Sequence, residues 1–229
     1  MIAINGAKVS RLLNRGHLIN LARNTIAISN MNLNKARNEM ITMSEQVCKD
    51  AEQWQRGIQN GQAAMRQIRT INLKLFSTEN KLNNADSRKE LQTTEKRINQ
   101  LYQRLQRPLA TIDKILKTLT EIRDNTARML SRLTLFLDDD TLAKHRITPK
   151  LESSKLLVVL QFLSYRYDAE WEVKEMVVND LESISNSYEL DLVMDCWTTC
   201  SHAGGLEFSN MMREYYLIID RRQPLVKSI

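Results

Sequence analysis

The sequence predicts an all-α protein, a long antiparallel helical hairpin or bundle with a smaller C-terminal helical cap. Three observations carry this. The 229 residues contain only 6 Gly and 3 Pro, too few for the many turns a sheet protein needs. Leu, Met, Gln, Arg, Lys and Glu, all good helix formers, are abundant. Apolar residues recur at three- and four-residue steps over long stretches, and no useful run alternates with period two. With 42% hydrophobic and 26% charged residues, the chain has enough apolar material for a folded core. No stretch reaches the roughly 18 consecutive apolar residues of a membrane span.

Residues 1–38 form a basic N-terminal arm. They carry Lys8, Arg11, Arg15, Arg23, Lys35 and Arg37 and no acid, which accounts for the whole net charge of +6. The remainder is neutral, so the pI near 9.3 describes the arm and not the body. Such an arm fits a solvated segment that meets RNA or acidic proteins, or a mitochondrial transit peptide.

Residues 39–137 read as a long-helix bundle. The first helix, over 30–76, turns Met40, Met43, Val47, Ala51, Trp54, Ile58, Met65, Ile68 and Leu75 to one side. Gly57 and Gly61 on it mark a close helix approach or a kink. The polar stretch 80–90 is a break, with Asp86 or Ser87 as cap of the next helix. That helix spans 87–106 with Leu91, Ile98, Leu101 and Leu105 inward. Pro108, unsuited to a helix interior, is expected to open a separate helix over 108–137. Its stripe of Ile112, Ile115, Leu119, Ile122, Thr126, Met129, Leu133 and Phe136 is the cleanest in the chain. Asp138, Asp139 and Asp140 then begin a connection. They are consecutive, whereas loops for hard cations space their carboxylates at alternate positions with a Gly.

Residues 148–219 read as a C-terminal helical part, followed by a tail over 220–229. Thr148 as N-cap and Pro149 as first helical residue would start a helix running to about 185. Its inward side holds Leu156, Leu160, Leu163, Tyr167, Trp171, Val178 and Leu181, while Glu170 and Glu172 are expected to be exposed charges. A short helix over 189–200 ends at "SHAGG", where Gly204 and Gly205 can take the left-handed conformation. A last helix covers 206–219.

One stretch has the look of chemistry. "DCWTTCSH" (195–202) holds Cys196, Cys200 and His202. A structural zinc site needs about four ligands, and the other candidates, Cys48, His17 and His145, each stand alone in a different segment. A catalytic thiol needs a base and a group to orient it, and only His202 is near. The expected reading is structural: Trp197, with Leu190 and Val193, buries one face of a short helix and the cysteines pack beside it as small apolar residues. No phosphate-cradling loop and no nucleophile elbow occurs. We therefore expect no catalytic residue, no cofactor, no metal, no small-molecule substrate and no membrane partner. Three cysteines without a secretory signal point to a reducing compartment. The basic set Arg88, Lys89, Lys96, Arg97, Arg104 and Arg107 is interleaved with acids and has only Tyr102 as a stacking platform, so it reads as a solvated helix face rather than an RNA site.

Four segments share an order that is similar to one known family. They are "EQWQRGI" (52–58), "LATIDKILKTLTEIRDNTARM" (109–129) with Ile122, Arg123 and Asp124, "TPKLESSKLLVVLQFLSYRYDAEWEVKEMVV" (148–178) with Tyr165, Arg166 and Tyr167, and "LVMDCWTT" (192–199) with Trp197. Over roughly residues 40–219 the chain resembles the AIRIM family, ribosome maturation factors that bind AFG-type AAA ATPases. The first 40 residues have no counterpart in the pattern. The resemblance implies a non-catalytic adaptor. Its partners would be a small helical protein of the cyclin-dependent-kinase-interacting (CINP) type and two AFG-type AAA ATPases, and it would act on precursors of the large ribosomal subunit, with a further link to replicating chromatin. It would work in cytoplasm and nucleus, with the mitochondrion as the alternative set by the basic arm.

An adaptor of this kind works through helix faces. Met40, Met43, Val47, Trp54, Ile58 and Trp171 are the candidate partner-binding residues, against the plainer reading that they are core. The rival function is a structural subunit of a spindle or kinetochore coiled-coil complex, which would favour heptads sustained past three or four repeats.

Overall fold

The computed structural model describes the backbone of residues 6–84 and 87–221 and, within these, the side chains from Asn32 onward. Six helices are present among the described residues: α1 (Gly6–Asn83), α2 (Arg88–Leu137), α3 (Asp140–Ala143), α4 (Ser153–Asp180), α5 (Ser187–Thr198) and α6 (Leu206–Ile218). No strand occurs among them; Arg146 and Glu152 make an isolated antiparallel bridge. The all-α expectation holds.

α1 and α2 form the antiparallel hairpin. Near its turn the Tyr102 hydroxyl donates to Glu79 at 3.2 Å. Midway, Asn125 donates to Asp50 at 2.8 Å, and towards the far end Arg132 meets Glu39 at 3.1 Å. The rising numbers on one helix match falling numbers on the other. Of the two cap candidates, Ser87 accepts from the Glu90 N–H at 3.3 Å, closing the first turn of α2; Asp86 lies outside the described residues. The side chains of Lys8, Arg11, Arg15 and Arg23 in the basic arm also lie outside them, as do residues 222–229 of the tail. The arm's backbone from Gly6 belongs to α1.

Three local expectations are corrected. Pro108 opens no new helix: α2 runs through it without interruption. Pro108 lies on the buried stripe Leu101, Leu105, Pro108, Ile112, Ile115, so packing against α1 offsets the hydrogen bond its missing N–H forfeits. Thr148 is not a helix cap. The chain makes a turn at 147–151, where Thr148 Oγ1 accepts from the Leu151 N–H at 3.1 Å. α4 starts only at Ser153, whose hydroxyl donates to the carbonyls of Leu142 and Ala143. Finally, Gly204 and Gly205 do not have positive φ. Gly204 is needed for space, since a Cβ there would sit 2.5 Å from the Cys200 Cβ. Gly205 is the N-cap of α6.

The aspartate run also has a definite job. Asp139 accepts from the N–H groups of Thr141 and Leu142 and so caps α3.

α4 packs on α2 and makes the third helix of the bundle, while α5 lies on α1. The C-terminal helices thus run along the hairpin, and the buried residues from Ala36 to Tyr216 join in one core. Gly57 and Gly61 of α1 both serve close approach. A Cβ on Gly57 would lie 3.2 Å from Leu119 Cδ2, and one on Gly61 would lie 2.1 Å from the Trp197 ring. Trp197 therefore seats directly on the α1 backbone, with its Nε1–H 3.4 Å from the Ile58 carbonyl.

Candidate functional site

The Cys–His turn is held by a buried ion pair one turn long on α4. Glu170 and Lys174 have 1% and 0% side-chain exposure, with Lys174 Nζ 2.6 Å from Glu170 Oε1. That contact is not aligned as a hydrogen bond and acts through charge. The hydrogen bonds of each group go elsewhere. Lys174 donates to the carbonyls of Cys196 at 3.0 Å and Trp197 at 2.9 Å. These are orphan carbonyls at the C-terminus of α5, where a cation is favoured. Glu170 Oε2 accepts from the N–H groups of His202 at 2.9 Å and Ala203 at 3.1 Å. One pair thus closes the end of α5 and the turn after it. Charges taken out of water persist when they are both paired and hydrogen-bonded in this way.

This corrects the expectation that Glu170 is an exposed helix charge. The signal was present in the sequence. The inward steps of α4 run Leu156, Leu160, Leu163, Tyr167 and continue at the same spacing through Glu170, Lys174, Val177 and Leu181. Charge type pulled two members of the stripe out of the apolar count, and Trp171 and Val178, half-buried beside it, took their place.

The cysteines pack as structural groups. Burial pushes the Cys200 thiol up to about 11 against a partial pull downward from Lys174, and burial also holds Cys48 at about 11. A thiol that stays protonated at neutral pH is a poor nucleophile. Cys196 and Cys200 are half-buried beside Trp197, which is fully buried with Leu190. Among the described residues no group of three or more His, Cys, Asp or Glu side chains is placed to hold a metal ion.

The four segments of the resemblance meet in space. Trp54 stacks on Tyr167 with ring centroids 4.3 Å apart. Arg123 lies 3.8 Å over the Trp171 ring and reaches Asp168 at 4.0 Å, and Trp171 Nε1–H donates to Thr120 at 2.8 Å. Trp197 rests on Gly61, just past the first segment, and turns its Nε1–H to the carbonyl of Ile58 within it. Each segment supplies an aromatic or an arginine to the junction of α1, α2, α4 and α5. A second, smaller polar knot lies next to it: Asp50 is buried and accepts from Gln46 at 2.7 Å as well as from Asn125. Burial raises its carboxyl above the ordinary range, and the two amide donors partly oppose that.

The candidate partner-binding residues belong mainly to this interior. Met40, Trp54 and Ile58 have no exposure, Val47 has 1% and Met43 has 8%. Only Trp171 is half-buried, and Arg123 covers its face. The six residues are packed within the chain, and the long apolar stripe that suggested them is satisfied by α2, α4 and α5. Met43 also lines a groove of about 890 Å³ between α1 and α2, with Glu39, Asn125 and Met129; the other open surfaces lie away from the six. Two grooves, of about 850 and 740 Å³, run along the seam of α1 and α2, on the flank of α2 away from Thr120 and Arg123, which face α4. No helix of the described residues is long and apolar enough to cross a membrane. No protein-family model matches this chain, and neither does any curated protein.

Proposed function

We propose that the chain is a non-catalytic helical adaptor. It joins a CINP-type small helical protein and AFG-type AAA ATPases in the cytoplasmic maturation of the large ribosomal subunit, with a further role at replicating chromatin. The observation that carries this reading is the convergence of the four resembling segments. Contacts between residues far apart in sequence, Trp54 with Tyr167, Arg123 with Trp171 and Lys174 with Trp197, link the four segments across α1, α2, α4 and α5. Segments that fix a shared scaffold keep their order and spacing for packing reasons, which is how the resemblance is written in the sequence. The buried ion pair and the raised Cys200 thiol add support, because the one stretch with the look of chemistry is occupied with closing a helix. ATP hydrolysis would belong to the partners.

Purification of the tagged full chain from its native cells at moderate salt, with mass spectrometry of what accompanies it, tests the proposal. Two AAA ATPases and a small helical protein in near-stoichiometric amounts are the expected result. Spindle or kinetochore subunits, or mitochondrial proteins together with a trimmed N-terminus, would overturn it.

A further inference from the structure

The two grooves of about 850 and 740 Å³ on one flank of the α1–α2 seam carry one sign of charge. Their rims hold Arg56, Arg66, Arg104, Arg107 and Lys114, and no lining residue is acidic. All five are exposed, and none belongs to an ion pair among the described residues. Exposed cations elsewhere, such as Lys89, Lys117 and Arg128, are also outside these ion pairs; what sets the channel apart is five of them on one concave strip with no acid in its lining. Five uncompensated cations along one concave strip hold a positive field that selects an anionic occupant.

The shape decides which anion. The grooves share Ala63, Gln67 and Arg107, so they form one channel. It runs along α1 from Gln53 to Ile71, about 27 Å at the rise of an α-helix. Its floor is small and apolar, with Gly57, Ala63, Ala64 and Pro108, and small residues let a helix backbone come close. No aromatic side chain lines it, so single-stranded bases find nothing to stack on. A concave channel between two helices also offers nothing to enter a duplex groove.

We infer that this channel docks an acidic amphipathic helix of a partner protein, of about five turns. The small apolar residues of that helix sit on the Gly57–Ala63–Ala64 floor, and its Glu and Asp side chains reach Arg56, Arg107 and Lys114 on one stretch and Arg66 and Arg104 on the next. This is the helix-in-groove mode with a charged rim. The inference names the chemistry of one partner surface. It stands on the channel alone, whichever complex the chain serves.

The test uses the purified full chain and a fluorescent 20-residue helical peptide with Ala on one face and Glu at alternating three- and four-residue steps on the flanks. Anisotropy is read at low and moderate salt. Two controls run beside it: a peptide of the same composition in scrambled order, and a 20-nucleotide oligouridine. The expected result is saturable binding of the ordered peptide that weakens with salt. It is roughly twentyfold weaker in R107E/K114E, at about fivefold per exposed pair. These side chains are exposed, so the variant keeps its far-ultraviolet dichroism; R107Q/K114Q, which removes charge without reversing it, gives an intermediate loss. A peptide with Lys in place of Glu should prefer R107E/K114E to the parent. Equal binding of the scrambled peptide, tighter binding of oligouridine, no binding of the ordered peptide at 100 µM, or indifference to both variants would each overturn the inference. None of these results bears on which proteins accompany the chain from cells, so the adaptor reading is judged separately.

Discussion

Gly61→Ala sets two opposing effects against each other on one helix. Ala is the better helix former by about 1 kcal/mol, so an exposed helical site would gain stability. At Gly61 the new methyl would lie 2.1 Å from Cζ2 of Trp197, where ordinary contact begins at 3.4 Å. The ring must retreat by more than 1 Å, yet it is fully buried, and its own carbonyl is held by Lys174. Overpacking of this kind costs about 1–3 kcal/mol, and about 3–5 kcal/mol if the tryptophan leaves its pocket. With the helix gain of about 1 kcal/mol subtracted, the net loss is about 0–2 kcal/mol, or about 2–4 kcal/mol with the tryptophan displaced, as the 2.1 Å approach requires, which is roughly 4–16 °C in Tm for a chain of this size. Gly57→Ala is the internal control. It has the same propensity gain, but its methyl would meet only Leu119 Cδ2, the end of a flexible side chain, at 3.2 Å. It should stay within about half a kcal/mol of the parent. Urea unfolding followed by circular dichroism at 222 nm and by tryptophan fluorescence gives both values. In a Trp197→Phe background the cost of Gly61→Ala should shrink by at least about 1 kcal/mol, because the two positions are in contact. A Gly61→Ala protein as stable as Gly57→Ala, or a cost unchanged by Trp197→Phe, would refute the seating of Trp197 on α1.

Three more predictions follow from the same packing. Lys174→Met leaves Glu170 charged and buried and two carbonyls of α5 without their donor. It should cost about 3–5 kcal/mol, and Glu170→Gln/Lys174→Met less than that single change, by urea unfolding; a single-variant loss under about 1 kcal/mol would sink the clamp. Asp50 has its carboxyl raised by burial, so the unfolded chain releases this proton first as pH rises. The stability this group contributes is fully present below its ordinary value of 3.8 and is lost as pH climbs to its raised folded value. Asp50→Asn should gain on the parent across that acid interval, read as the difference in urea midpoints against pH; a flat difference would contradict the assigned burial. Iodoacetamide at pH 8 should label Cys48 and Cys200 at least about tenfold more slowly in the native protein than in urea, since burial holds both thiols near 11. Mass-spectrometric mapping gives the rates, and equal rates in the two states would exclude protected thiols.

Much of this fold is legible in period and caps. The inward residues of α1, from Met40 to Leu75, and those of α2, from Leu101 to Leu133, follow three- and four-residue steps and are buried as that spacing requires. Ser87 caps α2 as a hydroxyl at a break should. The helix starts at Pro108 and Thr148 were misread because local rules price a residue without its tertiary neighbours. Pro108 loses a hydrogen bond inside α2 but gains a place on the α1-facing stripe. Thr148 has the side chain of a cap, yet its Oγ1 is occupied in the turn that ends at Leu151.

The sequence by itself determined the helical class, the direction in which each helix turns its apolar side, and the structural role of Trp197, since all of these follow from periodicity and side-chain type within a single segment. Only the tertiary structure decided the rest. Trp54 and Ile58 are fully buried because α2, α4 and α5 close over the stripe they lie on. Glu170 and Lys174 went inside because the end of α5, brought to them from 20 and more residues away, supplies the carbonyls and N–H groups that make a buried charge tolerable. The basic channel exists because Arg56 and Arg66 on one helix face Arg104, Arg107 and Lys114 on another, a meeting of side chains that no local pattern along either helix encodes.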